Sequence, residues 1–241
     1  MKSLIKKILG YKPITMYDDQ RSITSSDSFL WRTDNGFKTK FKFSDILKFF
    51  LKVKHSYVEI YIYSKNNTLL KIKKIKNLEL SNEFEITSSF LNGLNDYGVF
   101  YIYHFSNEKI SKRSIVLNKC YLGFSKNNSL HSFVHGNLIA KFTSIKKDNI
   151  FSNYTNYFSF FKRNNYQIQN YFNDFENTEL FFANPTNHKL KISIQKKNYT
   201  IKPGHCKIIN DNSRIISFSS NYYVRPIIFN YKDKYFDVYH S

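Results

Sequence analysis

A chain of 241 residues with 41% hydrophobic and 18% aromatic side chains has enough apolar bulk for one large core or two smaller ones, which excludes a disordered protein. Two cysteines, Cys120 and Cys206, are too few for a disulfide framework and lack the paired spacing of a zinc site, so they read as buried thiols in a reducing compartment. The formal charge of +19 invites nucleic acid or an anionic membrane. However, Lys, Asn, Ile, Phe and Tyr are the residues AT-rich codons specify, and Arg21, Arg32, Arg113, Arg163, Arg214 and Arg225 form no cluster.

Residues 1–10 carry Leu4, Ile5, Ile8 and Leu9 on one helical face with Lys2, Lys6 and Lys7 elsewhere. The expectation is a short basic helix, docked or frayed, with at most a peripheral membrane contact. It lacks the continuous apolar stretch and cleavage site of a secretory signal, and no segment reaches the ~20 apolar residues of a membrane span, so the expected location is cytoplasmic. Residues 11–42 read as an irregular lead-in with a turn at Asp34-Asn35-Gly36. A short helix follows, capped by Ser44, with Asp45 in its first turn and Ile46, Leu47, Phe50 and Leu51 on one face.

From Tyr57 the period becomes two. Tyr57 to Tyr63 and Leu69 to Ile75 form an antiparallel hairpin around Asn66-Asn67. Ser88 to Leu94 is a helical turn, Tyr97 to His104 an aromatic strand, and Ile115 to Phe124 and Leu130 to Ala140 further strands. Residues 146–178 show no clear period and read as a connection. Thr178 to His188, Lys189 to Ile194, Tyr199 to Gly204, Ile215 to Phe218, and a hairpin of Val224 to Phe229 with Tyr235 to Tyr239 close the chain. Short strands about ten residues apart, separated by turn signals, predict a mainly β fold: two tandem antiparallel β-sandwich-like (Ig-like) halves with one or two short helices. The halves are placed at 43–145 and 179–241.

An internal repeat is visible at the ends of the halves. Tyr121-Leu-Gly-Phe124 with Leu130 to His135 lies over Pro226-Ile-Ile-Phe229 with Tyr235 to His240 at one offset and without a gap, which brings His135 onto His240. The hairpin from Val58 to Ile75 has the outline of Leu180 to Ile194. Chance convergence of two hairpins is the competing explanation.

The strings Ser26-Asp-Ser-Phe-Leu-Trp-Arg-Thr-Asp34, Tyr121-Leu-Gly-Phe124, Ser132-Phe-Val-His-Gly-Asn137, Phe181-Phe-Ala-Asn-Pro-Thr186, Arg225-Pro-Ile-Ile-Phe229 and Phe236-Asp-Val-Tyr-His240 resemble an uncharacterised bacterial family encoded near surface-polysaccharide genes. The resemblance spans most of the chain and implies a context, with no catalytic residue to carry over.

Trp31, Arg32 and Asp34 combine an aromatic ring, a guanidinium and a carboxylate, a set able to stack on a sugar and hydrogen-bond its hydroxyls; the alternative is a Trp plugging a sandwich, with Arg32 paired to Asp34. His135 and His240 are either proton-transfer groups facing a cleft between the halves or structural histidines at strand ends. No HxH, HExxH or CxxC supplies a metal site, and no GxSxG, GxxxxGK[ST] or GxGxxG supplies a nucleophile elbow or phosphate loop. Acidic residues sit mostly singly, so no glycosidase pair is located. Aromatics on both faces of the strands argue against a base-stacking platform.

Three functions therefore stand in order. The first is a non-catalytic, accessory binding protein for a carbohydrate or protein partner, linked to surface-glycan biosynthesis. It uses Trp31, Arg32, Asp34, His135, Asn137, Arg225, Asp237 and His240, with no cofactor and no metal. The second is a glycan-acting enzyme with a site between the halves. The third is charge-driven nucleic-acid binding, which is disfavoured.

Overall fold

The computed structural model describes residues 12–13, 25–106, 108, 120–136, 140–143, 150–152, 157–158, 163–169, 175–185 and 188–240. The helix expected over residues 1–10 lies outside them. The chain divides into two compact units, a first of Asp18–Tyr154 and a second of Met1–Tyr17 with Thr155–Ser241. Strand β1 (Lys12–Pro13) belongs to the second unit.

The first unit contains β2 (Ser25–Arg32), β3 (Phe37–Phe43), the helix α1 (Ile46–Leu51), β4 (Tyr57–Ser64), β5 (Leu69–Ile75), β6 (Asn82–Ile86), β7 (Tyr97–Phe105), β8 (Cys120–Lys126), β9 (Ser132–Val134), β10 (Ala140–Thr143) and β11 (Ile150–Ser152). These form a six-stranded sheet in the order β11-β10-β2-β7-β4-β5 and a four-stranded sheet β6-β3-β8-β9. Every pairing is antiparallel. Phe29 on β2 and Phe100 on β7 meet Phe41 of the other sheet at ring-centroid distances of 4.7 and 5.0 Å. The two sheets are thus the layers of a sandwich. Each such ring contributes about 1.5–3 kcal/mol by leaving water.

The second unit adds β12 (Tyr157–Phe158), β13 (Asn164–Gln169), β14 (Asn177–Ala183), β15 (Leu190–Ile194), β16 (Lys197–Ile201), β17 (Cys206–Asn210), β18 (Ile215–Ser220), β19 (Ile227–Lys232) and β20 (Tyr235–His240). β12 pairs with β1. The remaining strands make two sheets, β13-β18-β15-β16 and β17-β14-β19-β20. Phe218 of one and Phe182 of the other meet edge to face at 5.4 Å, inside a core that includes Leu180, Ile192, Ile194, Ile216 and Ile228.

The two sandwiches have the same strand order. Replacing β2 to β9 in sequence by β13 to β20 converts β2-β7-β4-β5 into β13-β18-β15-β16, and β6-β3-β8-β9 into β17-β14-β19-β20. β10 and β11 extend the first unit alone. The terminal hairpins singled out in the sequence, β8–β9 and β19–β20, do occupy equivalent places, but their registers differ. Phe124 faces Ser132 whereas Phe229 faces Val238, so a gap-free overlay shifts one strand by one residue and reverses its faces. The second overlay is corrected: β4 and β5 are neighbours in one sheet, whereas β14 and β15 lie in different sheets.

Three further expectations are corrected. Residues 25–43 are not an irregular lead-in but two inner strands. Ser28, Phe29, Leu30, Trp31 and Arg32 are all fully buried, so this part of β2 has no exposed face and shows no alternation of burial. The turn at Asp34–Gly36 does form, with Asn35 and Gly36 at φ of 51° and 79°, and it carries the chain from one sheet to the other. The span 146–178 contains β13, the edge strand of a four-stranded sheet, rather than a connection alone. The run Leu130 to Ala140 is split between β9 and β10, which belong to different sheets.

Helix α1 is capped by Asp45, not Ser44: the Asp45 carboxylate accepts from the Lys48 N–H at 3.1 Å, and the buried position also takes the Ser56 hydroxyl at 2.5 Å. Lys52 at φ 56° ends the helix.

Candidate functional site

The aromatic and charged triplet near the amino end is structural. Trp31 is fully buried, and its indole Nε1 donates to the Tyr63 carbonyl on β4 at 2.8 Å. No face of the ring is open to a sugar. The room for it comes from Gly98 opposite on β7: a Cβ there would fall on the Tyr63 carbonyl oxygen and lie 2.7 Å from Trp31 Nε1. Arg32 is also fully buried. It holds Asp34 in a two-point pair, Nε to Oδ1 at 2.9 Å and Nη2 to Oδ2 at 2.8 Å, and its guanidinium lies over Phe37 at 4.0 Å.

The histidines fall in different units. His135 is exposed at the end of β9 with its ring 4.4 Å from that of Tyr121. His240 ends β20, where Arg225 Nη2 lies 2.9 Å from His240 Nδ1. Asp237 is exposed on the same strand, across the ladder from Asn230. Asn137 lies outside the described residues. Each unit therefore brings together part of the sequence-derived set, Arg32 with Asp34 in the first and Arg225 with His240 in the second. Cys120 and Cys206 are buried reduced thiols, also in different units.

A surface that the sequence reading passed over lies on the second unit. The outer face of β13-β18-β15 lines a cavity of about 590 Å³ with Asn165, Gln167, Ser193, Ser217 and Ser219, joined by Gln195 and Lys196 from the β15–β16 turn. The register sets these side chains in two rows across the strands: Asn165 opposite Ser219 opposite Ser193, and Gln167 opposite Ser217. Between them, Ile168, Ile192, Ile194, Ile216 and Phe218 point inward to the core. The side chains of Asn165, Gln167, Ser193, Ser217 and Ser219 make no hydrogen bond to other described residues. Their amide and hydroxyl groups present both donors and acceptors to whatever enters.

Tyr166 also lines the cavity. Burial pushes its phenol above the ordinary tyrosine range, its oxygen accepts from the Val224 N–H at 2.9 Å, and the half-exposed ring of Tyr223 stands 6.2 Å away. The sequence signal for this face was present as period-two alternation in Asn164 to Gln169 and Ile215 to Ser220. It was hidden because the first segment lies in a stretch rich in Asn and Tyr that read as a connection.

Among the described residues, no three His, Cys, Asp or Glu side chains are grouped to hold a metal ion. No helix there is long and apolar enough to cross a membrane. No family model and no curated protein matches the sequence. Among solved structures, the chain is similar to a β-glucuronidase from glycoside hydrolase family 2 at 11% identity and a TM-score of 0.23. That match covers 93% of this chain and 24% of the other, so this chain spans about a quarter of its length. A likeness at that score carries no argument.

Proposed function

We propose that the protein is a non-catalytic binding protein and that the second unit recognises a carbohydrate on the outer face of β13-β18-β15. The observation that carries this reading is the row of Asn165, Gln167, Ser193, Ser217 and Ser219 side chains, unsatisfied by other described residues and held at fixed strand spacing over a cavity of about 590 Å³. Sugar hydroxyls both give and accept hydrogen bonds, and amides and hydroxyls match them without charge. The cavity is lined by Ser193, Ser217 and Ser219 with no Asp, Glu or His among its lining residues to act as their base, and a serine hydroxyl is a weak nucleophile without an adjacent base, which supports binding over turnover.

A cytoplasmic role beside glycan assembly is part of this reading, supported by the resemblance to a family encoded near surface-polysaccharide genes and by two buried thiols suited to a reducing compartment. The test is a panel of soluble oligosaccharides and nucleotide sugars titrated calorimetrically at low and high salt. A sugar that binds equally at both salts, and is lost in Asn165→Ala with Gln167→Ala, supports the reading. Binding that survives this double substitution, or no binding by any glycan, removes it.

A further inference from the structure

A second cavity, of about 500 Å³, lies in the first unit between the end of α1, the start of β4 and the chain leaving β5. Its lining differs in kind from the polar face described above: Lys48, Lys54, Lys74, Lys76 and His55 surround it with Ser56, Ser106 and Asn77, and the single carboxylate among its lining residues is Asp45. Asp45 is 1% exposed and already engaged by the α1 cap and Ser56. Lys74 is answered by Glu59 at 3.0 Å and lies over Tyr57. Lys48, Lys54 and Lys76 have no carboxylate partner among the described residues, unlike Lys40, which meets Glu85 across the ladder at 2.9 Å. Three ammonium groups without a direct ion-pair partner crowd one concavity, Asp45 and Glu108 offset their charge only in part, and an anion entering the cavity relieves the remaining repulsion.

A second observation is independent of the lysines. The backbone N–H groups of Lys54 and His55 converge on one oxygen, Glu108 Oε1, at 2.7 and 2.8 Å. Two successive amides aimed at one oxyanion are the geometry by which backbone turns hold phosphate and carboxylate groups. Here an internal carboxylate occupies them at the rim of the cationic cavity. The Ser106 hydroxyl, donating to the His55 carbonyl at 2.9 Å and accepting from the Glu108 N–H at 3.0 Å, fixes this turn.

From these two observations we infer that the first unit carries an anion site, lined by Lys48, Lys54, Lys76 and His55, for a small molecule bearing a phosphoryl or sulfuryl group. The volume lies within the roughly 300–1,000 Å³ typical of small-molecule sites and far exceeds a lone oxyanion, so the charged group enters with a larger body attached. Glu108 is the internal competitor that such a ligand meets at the rim. The inference does not depend on the glycan face, which lies on the other unit.

The experiment uses the full chain and three probes, inorganic phosphate, sulfate and pyrophosphate, each titrated against sodium chloride of matched ionic strength while thermal stability and amide NMR shifts are followed. The expected result is a saturable stabilisation by at least one probe, with shifts confined to residues 45–57 and 74–78. Its apparent dissociation constant weakens roughly tenfold in Lys54→Gln with Lys76→Gln and tightens in Glu108→Gln. Lys232→Gln with Lys234→Gln, on the exposed β19–β20 turn, leaves it unchanged. The phosphate and sulfate arms show which group is held. Absence of a saturable response to all three probes, or an equal loss in the control pair, overturns the inference. Because the glycan titration reads the other unit, either result stands without the other.

Discussion

Arg32 and Asp34 lock the passage between the two sheets of the first sandwich. The guanidinium is fully buried, the carboxylate 19% exposed, and two parallel hydrogen bonds of 2.9 and 2.8 Å join them across the turn from β2 to β3. Neutralising Asp34 takes the opposing charge of this two-point pair away from a buried cation, a costly loss even with the rim wet. Asp34→Asn is expected to destabilise the protein by about 1–3 kcal/mol, read as a lower urea midpoint with unchanged slope. A midpoint equal to the parent's would show that the pair contributes nothing.

Trp31 and Gly98 yield a steric prediction. Gly98→Ala forces a methyl into space held by the Tyr63 carbonyl and the indole edge, and overpacking of this kind costs about 1–3 kcal/mol. Trp31→Phe loses the 2.8 Å bond to Tyr63, about 1 kcal/mol, plus the cost of the space left behind. Both are expected to lower the melting temperature without altering glycan binding, and weakened binding at unchanged stability would restore Trp31 as a contact residue.

Asn184 organises one end of the second core. Its amide nitrogen donates to the His188 and Ile201 carbonyls at 2.6 and 3.0 Å, and its oxygen accepts from the Tyr222 hydroxyl at 2.6 Å. Tyr222→Phe strips one bond and is expected to cost about 1–2 kcal/mol; Asn184→Ala leaves several buried partners unmet and is expected to cost more. Chemical denaturation of the two variants gives the order, and the reverse order contradicts the network.

His131 gives the stability a pH dependence. Burial first, and then the charges of Lys40, Lys38 and Lys42, hold its imidazole below the ordinary range, with Glu85 opposing, and its Nε2 is buried without a hydrogen-bond partner among the described residues. The unfolded chain therefore takes the proton first. Stability is full above about pH 6.5 and declines as pH falls through that value toward the lower folded one. The difference in urea midpoint between pH 7.5 and 5.5 is expected to shrink in His131→Gln; an identical difference in both proteins would place the titration elsewhere.

The strands easiest to read were those with one wet face. β4, β15 and β20 alternate because alternate side chains meet water. β2 and β7 lie inside their sheet with both faces covered: Phe29, Leu30 and Trp31, and Val99 to Tyr103, are all buried. β7 was recognisable through its aromatic content, and β2 was lost among Ser, Thr and Asp. The repeat was visible only in its last hairpin because burial specifies apolarity and not identity, so two sandwiches with one strand order can share almost no residues. The site residues chosen by chemical type were mostly those that close the fold, since Trp, Arg and Asp are also the groups a core end recruits. The polar face was overlooked because Asn, Gln and Ser single themselves out only once register aligns them.

The shared strand order also bears on how the chain is born. In both sandwiches the first strand, β2 or β13, pairs with the sixth to emerge: Ser25 meets His104, and Asn164 meets Ser220. At synthesis rates of about 5–20 residues per second, the Phe29–Trp31 segment waits roughly 4–15 seconds before β7 exists to cover it. Loop-closure entropy then delays the pairing further. In that interval an apolar strand with open edges is what a chaperone or a neighbouring nascent chain encounters.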